Sequence, residues 1–258
     1  MPLAKLNGVN IYYDTSGSGT AIVLTHGFAG STRMWQPQVE ALSKDYQLIT
    51  YDIRGHGQSD APADRALYSW DIAMEDLHQL LTSLGVKEAI VGGLSLGGIV
   101  SFHYYMKHPE MTKALIIADS GPGFRNPQTM AQWDQERYKV TEVLEKGGMA
   151  AYMASPYAST TYYTTPDVMV AHSPVGLSNV NMALQTNQEM VPLEEIKVPT
   201  LVIVGSGDTN SIPPANYMHR KIPNSRLAVI PQAGHGSNVD QPAIFNRAIL
   251  DFLKDYGL

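Results

Sequence analysis

Short runs of apolar and β-branched residues alternate with longer stretches of helical spacing, and this alternation limits the possible folds more than any other feature of the chain. The runs occupy residues 22–25, 47–51, 89–92, 115–118, 201–204 and 227–230. Continuous apolar runs of this length predict strands that are buried on both faces, as in a parallel sheet. Between two of the runs, Trp70, Leu77 and Leu84 share one face of a predicted helix that ends at Gly85. The sequence therefore predicts an α/β domain.

The segment 121–190 interrupts this alternation, because it has helical stretches but no convincing strand. We expect residues 1–120 and 191–258 to form the core and residues 121–190 to form a helical cap inserted into it. Between residues 147 and 188 the only formally charged residue is an aspartate, and tyrosine and methionine are frequent.

Three side chains of this predicted cap are candidates for contacting a substrate, namely Met153, Tyr157 and Tyr162. Apolar and aromatic side chains of this kind commonly line small-molecule sites. The alternative is that they only hold the cap against the core. The nearly uncharged composition favours a neutral or apolar substrate.

A glycine-flanked serine stands where the third apolar run meets the next helical stretch. The pattern Gly93-x-Ser95-x-Gly97 follows the run 89–92 directly. A strand that reverses sharply into a helix forces the residue at the turn into a strained backbone, and flanking glycines remove clashing side chains. The Ser95 hydroxyl is then held out above the sheet. The pattern predicts a nucleophile rather than an incidental serine in a glycine-rich turn.

A serine hydroxyl needs a base, and the chain offers one on a loop after the last predicted strand. His235 follows the run 227–230, at the edge of the sheet where open parallel sheets bind their ligands. Other histidines, such as His78 and His103, fall within predicted helices and have structural explanations. We therefore expect His235 to be the general base.

A carboxylate must orient this imidazole, and two candidates follow predicted strands. Asp208 lies on a glycine-rich loop after the fifth run, and Asp119 directly follows the fourth. The chain order serine, aspartate, histidine holds for both. We favour Asp208, which is one strand before His235 in sequence. Asp119 is then expected to bond backbone groups in the loop 120–123.

Acyl transfer also needs two donors for a developing oxyanion. One is the backbone N–H of Leu96, the residue after the nucleophile, and the second is that of Phe28, on a glycine-containing loop after the first run. His26 precedes that loop, and we favour a bracing role for it over a catalytic one. Asp52 and Arg54 leave the second run in another glycine-rich turn, where they are expected to satisfy buried polar groups.

Charge and composition narrow the class of partner. A net charge of -6 without any run of Lys or Arg gives no electrostatic footprint for nucleic acid or an anionic membrane. No segment approaches the roughly 20 apolar residues of a membrane span, and the first residues do not resemble a signal peptide. The absence of cysteine excludes disulfides and thiolate sites. We expect a small-molecule partner and a cytoplasmic location.

Together these motifs resemble the α/β-hydrolase family over nearly the whole chain. The matching pieces are His26-Gly27-Phe28, Asp52-x-Arg54-Gly55-x-Gly57-x-Ser59, Gly93-x-Ser95-x-Gly97-Gly98, Gly207-Asp208 and Gly234-His235. The resemblance implies a mostly parallel eight-stranded sheet flanked by helices. It also implies that the early run 10–13 belongs to an antiparallel edge hairpin.

Similarity to small capped esterases and lactonases of this family implies hydrolysis of a carboxylic ester or lactone through an acyl-enzyme on Ser95. That chemistry needs no metal or organic cofactor. A serine in place of an aspartate nucleophile argues against haloalkane dehalogenase chemistry. The alternatives on the same fold are C–C bond hydrolysis, perhydrolase or hydroxynitrile-lyase-like chemistry, and a ligand receptor that retains the three catalytic side chains.

Overall fold

The computed structural model describes residues 2–158 and 172–258 of the chain. Within this part the strands form one eight-stranded sheet. The strands are β1 (Leu3–Leu6), β2 (Val9–Ser16), β3 (Thr20–Thr25), β4 (Tyr46–Tyr51), β5 (Ala89–Leu94), β6 (Thr112–Ala118), β7 (Thr200–Gly205) and β8 (Ser225–Ile230).

The strand order across the sheet is β1-β2-β4-β3-β5-β6-β7-β8. Strands β3 to β8 pair in parallel, whereas β1 and β2 form an antiparallel hairpin at one edge, and β2 also pairs antiparallel with β4. Each of the six apolar runs lies inside one of the parallel strands, and the run 10–13 lies in β2. The predicted fold class and its edge hairpin are confirmed.

The helices of the described residues connect the strands and flank the sheet. They are α1 (Gln36–Leu42), α2 (Trp70–Ser83), α3 (Leu96–Lys107), α4 (Pro127–Met153), α5 (Pro174–Leu184), α6 (Ile212–Lys221), α7 (Ser237–Asp240) and α8 (Pro242–Tyr256). Helix α2 begins where the Ser69 hydroxyl accepts the Ile72 N–H, and it ends just before Gly85, whose φ is 72°. None of these helices has the length and apolarity that a membrane crossing requires.

The core has two layers, one on each face of the sheet. Side chains alternate along each strand, so that Val23 packs into one layer and its neighbour Ile22 into the other. Helices α2, α3 and α6 cover the first layer, and α1 and α8 cover the second. Burial on both faces explains why the central strands appear in the sequence as unbroken apolar runs.

Helices α4 and α5 lie in the segment between β6 and β7. They pack against each other, and the Asn181 amide of α5 donates to the Arg137 carbonyl of α4 at 2.7 Å. Gly148 interrupts α4 with φ 63° and ψ -161°. Among the described residues 121–158 and 172–190, β pairing is limited to one bridge between Phe124 and Glu189. The division into a core and a cap with boundaries at 121 and 190 stays a prediction.

A third apolar cluster joins this segment to the rest of the molecule. Ala29, in the loop after β3, packs with four side chains of α4 and α5, namely Val140, Leu144, Tyr152 and Leu177. All of these side chains are buried. Helices α4 and α5 therefore cover the loop that the sequence predicts to stabilise an oxyanion.

Candidate active site

Ser95 occupies the single residue between β5 and α3, and its backbone lies at φ 56° and ψ -116°. L-residues rarely adopt this region, and a residue kept there costs of the order of 1–3 kcal/mol. The Ser95 N–H donates to the Ala118 carbonyl at 2.9 Å, and the Ser120 hydroxyl donates to the Ser95 carbonyl at 2.7 Å. The serine is only partly buried. The end of β6 thus holds this strained turn with its hydroxyl-bearing residue accessible.

The glycines beside Ser95 are required by close packing rather than by their own dihedral angles. A Cβ atom at Gly97 would lie 2.0 Å from the Thr25 carbonyl oxygen, and one at Gly93 would lie 2.5 Å from the Gly97 carbonyl. Both separations are far below van der Waals contact. The turn can therefore pack against the end of β3 only when both positions lack a side chain.

His235 and Asp208 meet at the carboxyl end of the sheet, where their loops follow the adjacent strands β8 and β7. The Asp208 Oδ2 atom is 2.6 Å from His235 Nδ1. Because a carboxylate only accepts hydrogen bonds, Nδ1 carries the proton and Nε2 of the neutral ring is left as the acceptor. Asp208 also accepts the Ser211 N–H at 3.3 Å. Its side chain is 6% exposed, whereas that of His235 is 33% exposed.

The two side chains shift each other's pKa. Burial lowers the pKa of His235, but the hydrogen bond and charge of Asp208, together with the charge of Asp119, outweigh burial and raise it above its ordinary value. Burial alone would raise the pKa of Asp208, yet its bonds to His235 and Ser211 bring it below the usual range. The pair therefore favours an ionised carboxylate beside an imidazole that binds a proton more readily than usual.

Asp119 does not bond to His235, and it is fully buried. One carboxylate oxygen accepts the Gly205 N–H at 2.8 Å, and the other accepts the Ser237 N–H at 3.2 Å and the Ser237 hydroxyl at 2.5 Å. Its partners are thus the last residue of β7 and the first residue of α7, and not the loop 120–123 where the sequence suggested them. Burial raises the pKa of Asp119 to about 6, although these hydrogen bonds oppose the shift.

The loop after β3 carries the predicted oxyanion donor. Within residues 2–158 and 172–258 the Phe28 N–H has no hydrogen-bond partner. Leu96 is the first residue of α3, so its N–H has no acceptor inside the helix. Ala29 takes the left-handed conformation, with φ 58°. Within the described residues, the two predicted donors thus lie on the loop after β3 and at the start of α3, directly after Ser95.

Buried histidines hold the Phe28 loop from behind. His26 Nε2 accepts the Ile53 N–H at 3.0 Å, and its Nδ1 donates to the Gly27 carbonyl at 2.7 Å. His56 Nε2 accepts the Ala29 N–H at 3.1 Å. Burial lowers the pKa of His26 to about 3 and that of His56 well below its ordinary value, so both rings are neutral acceptors. His26 and His56 thus brace the Phe28 loop through hydrogen bonds to backbone groups.

The sequence did not single out His56 or His172 as parts of this brace. The rings of His26 and His56 are 4.8 Å apart, and those of His56 and His172 are 5.6 Å apart. His172, just before α5, accepts the Gly57 N–H at 2.8 Å. The one available signal was the position of His56 between two glycines, and nothing marked His172.

The loop after β4 serves an architectural purpose. Asp52 accepts the Thr32 N–H at 2.7 Å and the Gln58 N–H at 2.8 Å. Arg54 forms a buried pair with Asp76 of α2, with 2.7 Å between Nη2 and Oδ1. Asp52 thus satisfies a backbone donor of the glycine-rich turn, whereas the partner of Arg54 is a buried carboxylate outside the turn.

The predicted substrate-contacting residues are described only in part. Met153 and Tyr157 pack against the third apolar cluster, as Phe28 also does. The Tyr152 hydroxyl donates to the Tyr157 carbonyl at 3.3 Å. Tyr162 lies outside the described residues. Contact of any of the three with a substrate stays a prediction.

A model for the alpha/beta hydrolase fold family matches residues 20–242. Because this match covers most of the chain, the protein belongs to the alpha/beta hydrolase fold family, and the resemblance inferred from its motifs is confirmed. The match includes both the serine turn and the histidine loop.

The names of individual relatives describe different activities. The chain is 28% identical over 247 residues to a putative 2-succinyl-6-hydroxy-2,4-cyclohexadiene-1-carboxylate synthase of Bacillus subtilis, covering 90% of each chain. It superimposes on an enol-lactonase from Burkholderia xenovorans LB400 with a TM-score of 0.84 and 27% identity, over 98% of this chain and 100% of that one. A thermophilic esterase from Thermogutta terrifontis gives a TM-score of 0.84 and 26% identity, covering 99% of each chain.

Proposed function

We propose that this protein is a serine hydrolase that cleaves carboxylic esters or lactones of small molecules through an acyl-enzyme on Ser95. The observation that carries the proposal is the 2.6 Å bond between Asp208 and His235, on loops that leave the same sheet edge as the strained serine turn. A base oriented by a buried carboxylate is what a serine hydroxyl needs to become a nucleophile.

In the first half of the reaction, Ser95 Oγ attacks the substrate carbonyl while His235 Nε2 takes the hydroxyl proton. The N–H groups of Phe28 and Leu96 donate to the resulting oxyanion. The tetrahedral intermediate then collapses, the C–O bond to the leaving alkoxide breaks, and His235 returns the proton to that oxygen. The acyl group remains on Ser95.

In the second half, His235 Nε2 takes a proton from a water molecule that attacks the acyl-enzyme. The carboxylic acid leaves and Ser95 regains its proton. Asp208 stabilises the imidazolium at both stages and stays ionised itself. Water is the only co-reactant, so the proposed mechanism uses no metal or organic cofactor.

Two further points support the choice of substrate class. An enol-lactonase and an esterase are among the structures that the chain resembles over nearly its full length. Phe28, Met153 and Tyr157 belong to one apolar cluster, which favours a neutral or apolar acyl part.

Similarity to the Bacillus synthase favours a second candidate, which is a reaction other than hydrolysis that uses Ser95, His235 and Asp208.

The test is hydrolysis of p-nitrophenyl esters of increasing acyl length and of simple lactones, with a chelator present. Wild type and Ser95→Ala are compared, and circular dichroism verifies that both are folded. Turnover that survives the chelator and disappears in the variant supports the proposal. A folded wild type that hydrolyses neither substrate class refutes it and favours the second candidate.

A further inference from the structure

The end of β6 contacts all three loops that carry the proposed catalytic residues. The Ala118 carbonyl and the Ser120 hydroxyl bond to the backbone of Ser95. Asp119, between them, bonds to Gly205, where the Asp208 loop begins at the end of β7, and to Ser237, where the His235 loop ends at the start of α7. These three consecutive residues therefore determine how the serine turn lies relative to the other two loops.

Asp119 is placed to fix the two loops relative to each other. It accepts the N–H of Gly205, three residues before Asp208, and bonds twice to Ser237, two residues after His235. Its own backbone has φ 44°, a conformation that aspartate adopts more readily than most residues. A fully buried carboxylate with no cationic partner is costly unless several donors satisfy it, and here three donors do so.

The other bonds between these loops lie closer to the sheet. The Ser206 N–H donates to the Ile230 carbonyl at 2.8 Å, and the Gly207 N–H donates to the Ala233 carbonyl at 2.8 Å. The Gln232 N–H also donates to the Ser206 hydroxyl at 3.0 Å. On the β8 side, all three bonds join residues that precede His235. Asp119 holds the chain after His235 to the end of β7, whereas Asn238 holds the same stretch to Met34 and Gln38 on the other side of the sheet edge. The bonds of Asp119 are therefore the ones that tie this stretch to the strand that leads to Asp208.

We propose that Asp119 is a positioning residue for the reaction put forward under Proposed function. Its bonds to Gly205 and Ser237 keep His235 aligned with Asp208 and Ser95, and its negative charge favours the imidazolium that forms during catalysis. Asp119 is fully buried and makes no hydrogen bond to the His235 ring, so it acts through the residues that it holds. The inference thus rests on the proposed function, but its effect on His235 is measurable without turnover.

Two variants separate the charge of Asp119 from its tether. Asp119→Asn removes the charge at nearly constant shape and places an amide against backbone donors. Ser237→Ala keeps the charge and removes the hydroxyl bond. A third variant, Asp251→Asn on the exposed face of α8, is the matched control for loss of a surface charge.

The first measurement is the pH dependence of kcat and kcat/KM on a p-nitrophenyl ester. For Asp119→Asn we expect kcat to fall by about 10- to 100-fold with a small change in KM. The acid limb of kcat/KM should also move to lower pH, since the charge of Asp119 helps to raise the pKa of His235. Ser237→Ala should lower kcat less and leave the limb in place. The control should change neither.

The second measurement follows the His235 imidazole by NMR as pH is varied, with His235→Gln identifying the signal. A lower pKa of His235 in Asp119→Asn is expected whether or not the protein hydrolyses esters. If wild type shows no turnover but this shift occurs, the proposed function fails and the positioning by charge stands. Thermal unfolding of each variant shows whether it is folded at the assay temperature.

Three results would overturn the inference. The first is a kcat of Asp119→Asn equal to that of wild type. The second is an unchanged pKa of His235 in this variant, and the third is a loss of activity in it no larger than its loss of folded protein. In each case Asp119 would act only as a structural residue of the core.

Discussion

The strained backbone of Ser95 gives a prediction in which stability and activity move in opposite directions. Ser95→Gly and Ser95→Ala both remove the nucleophile, and they differ from each other only in the Cβ atom. Glycine adopts φ 56° and ψ -116° without strain, whereas alanine has the same steric conflict as serine. We therefore expect Ser95→Gly to be the more stable of two inactive variants.

The magnitude follows from two opposing contributions. Relieving the backbone strain of a residue held in this region raises the free energy of unfolding by about 1–3 kcal/mol. Glycine loses about 0.5–1 kcal/mol more than alanine in conformational entropy on folding. The free energy of unfolding of Ser95→Gly should therefore exceed that of Ser95→Ala by about 1 kcal/mol, within limits of about 0 and 2.5 kcal/mol. For a domain of this size the midpoint of thermal unfolding should be about 2 °C higher, and at most about 5 °C higher.

The assay is urea and thermal unfolding of both variants, followed by circular dichroism. Ser101, in the middle of α3 and fully buried, provides the matched control pair. At that helical position Ser101→Gly should be less stable than Ser101→Ala by about 1 kcal/mol. A Ser95→Gly variant that is less stable than Ser95→Ala by about 0.5–1 kcal/mol, as the entropy of glycine alone would give, would show that the turn stores no strain.

Four further outcomes test the site and its support. Asp208→Asn should lower kcat on esters by about 10⁴-fold in steady-state assays, because the amide allows the wrong tautomer of His235, and near-normal kcat would contradict the assignment. The pKa of His235 is raised above its ordinary value of about 6.5, and protonation of the ring removes the base. In wild type, kcat/KM should therefore fall as pH drops through this raised pKa. An acid limb below pH 6 would contradict the expectation. His56→Ala leaves the Ala29 N–H of the oxyanion loop without its acceptor, so kcat should fall by about 10- to 100-fold with KM nearly constant. An unaffected kcat would contradict the bracing role of His56. Arg54→Met leaves Asp76 buried and unpaired, so urea unfolding should show a loss of about 3–5 kcal/mol, and a change below 1 kcal/mol would show that the pair is dispensable.

The sheet could be predicted from local sequence because burial on both faces imposes its own pattern. A strand such as β5, fully buried, must be apolar along its whole length, and the runs therefore marked every parallel strand. The serine turn was equally readable. Gly93 and Gly97 are required by contacts within the turn and with the end of β3, and this requirement appears as a fixed spacing in the sequence.

The segment between β6 and β7 was less predictable in detail. Its helices were expected from spacing, but the break of α4 at Gly148 was not. The packing of Val140 and Leu177 on Ala29 brings together residues that are far apart along the chain. No local pattern specifies such a partner, because an apolar helix face packs against whichever surface the topology places opposite it.

The choice between the two carboxylates shows most clearly what the sequence by itself determined. Strand order and chain order bring both Asp119 and Asp208 to the carboxyl edge of the sheet, and the sequence favoured Asp208 without excluding the other. Only the tertiary structure decided that Asp208 bonds to His235 and that Asp119 bonds to groups 86 and 118 residues away. The physical reason is that adjacent strands fix which loops meet, while the direction of each loop fixes which atoms touch.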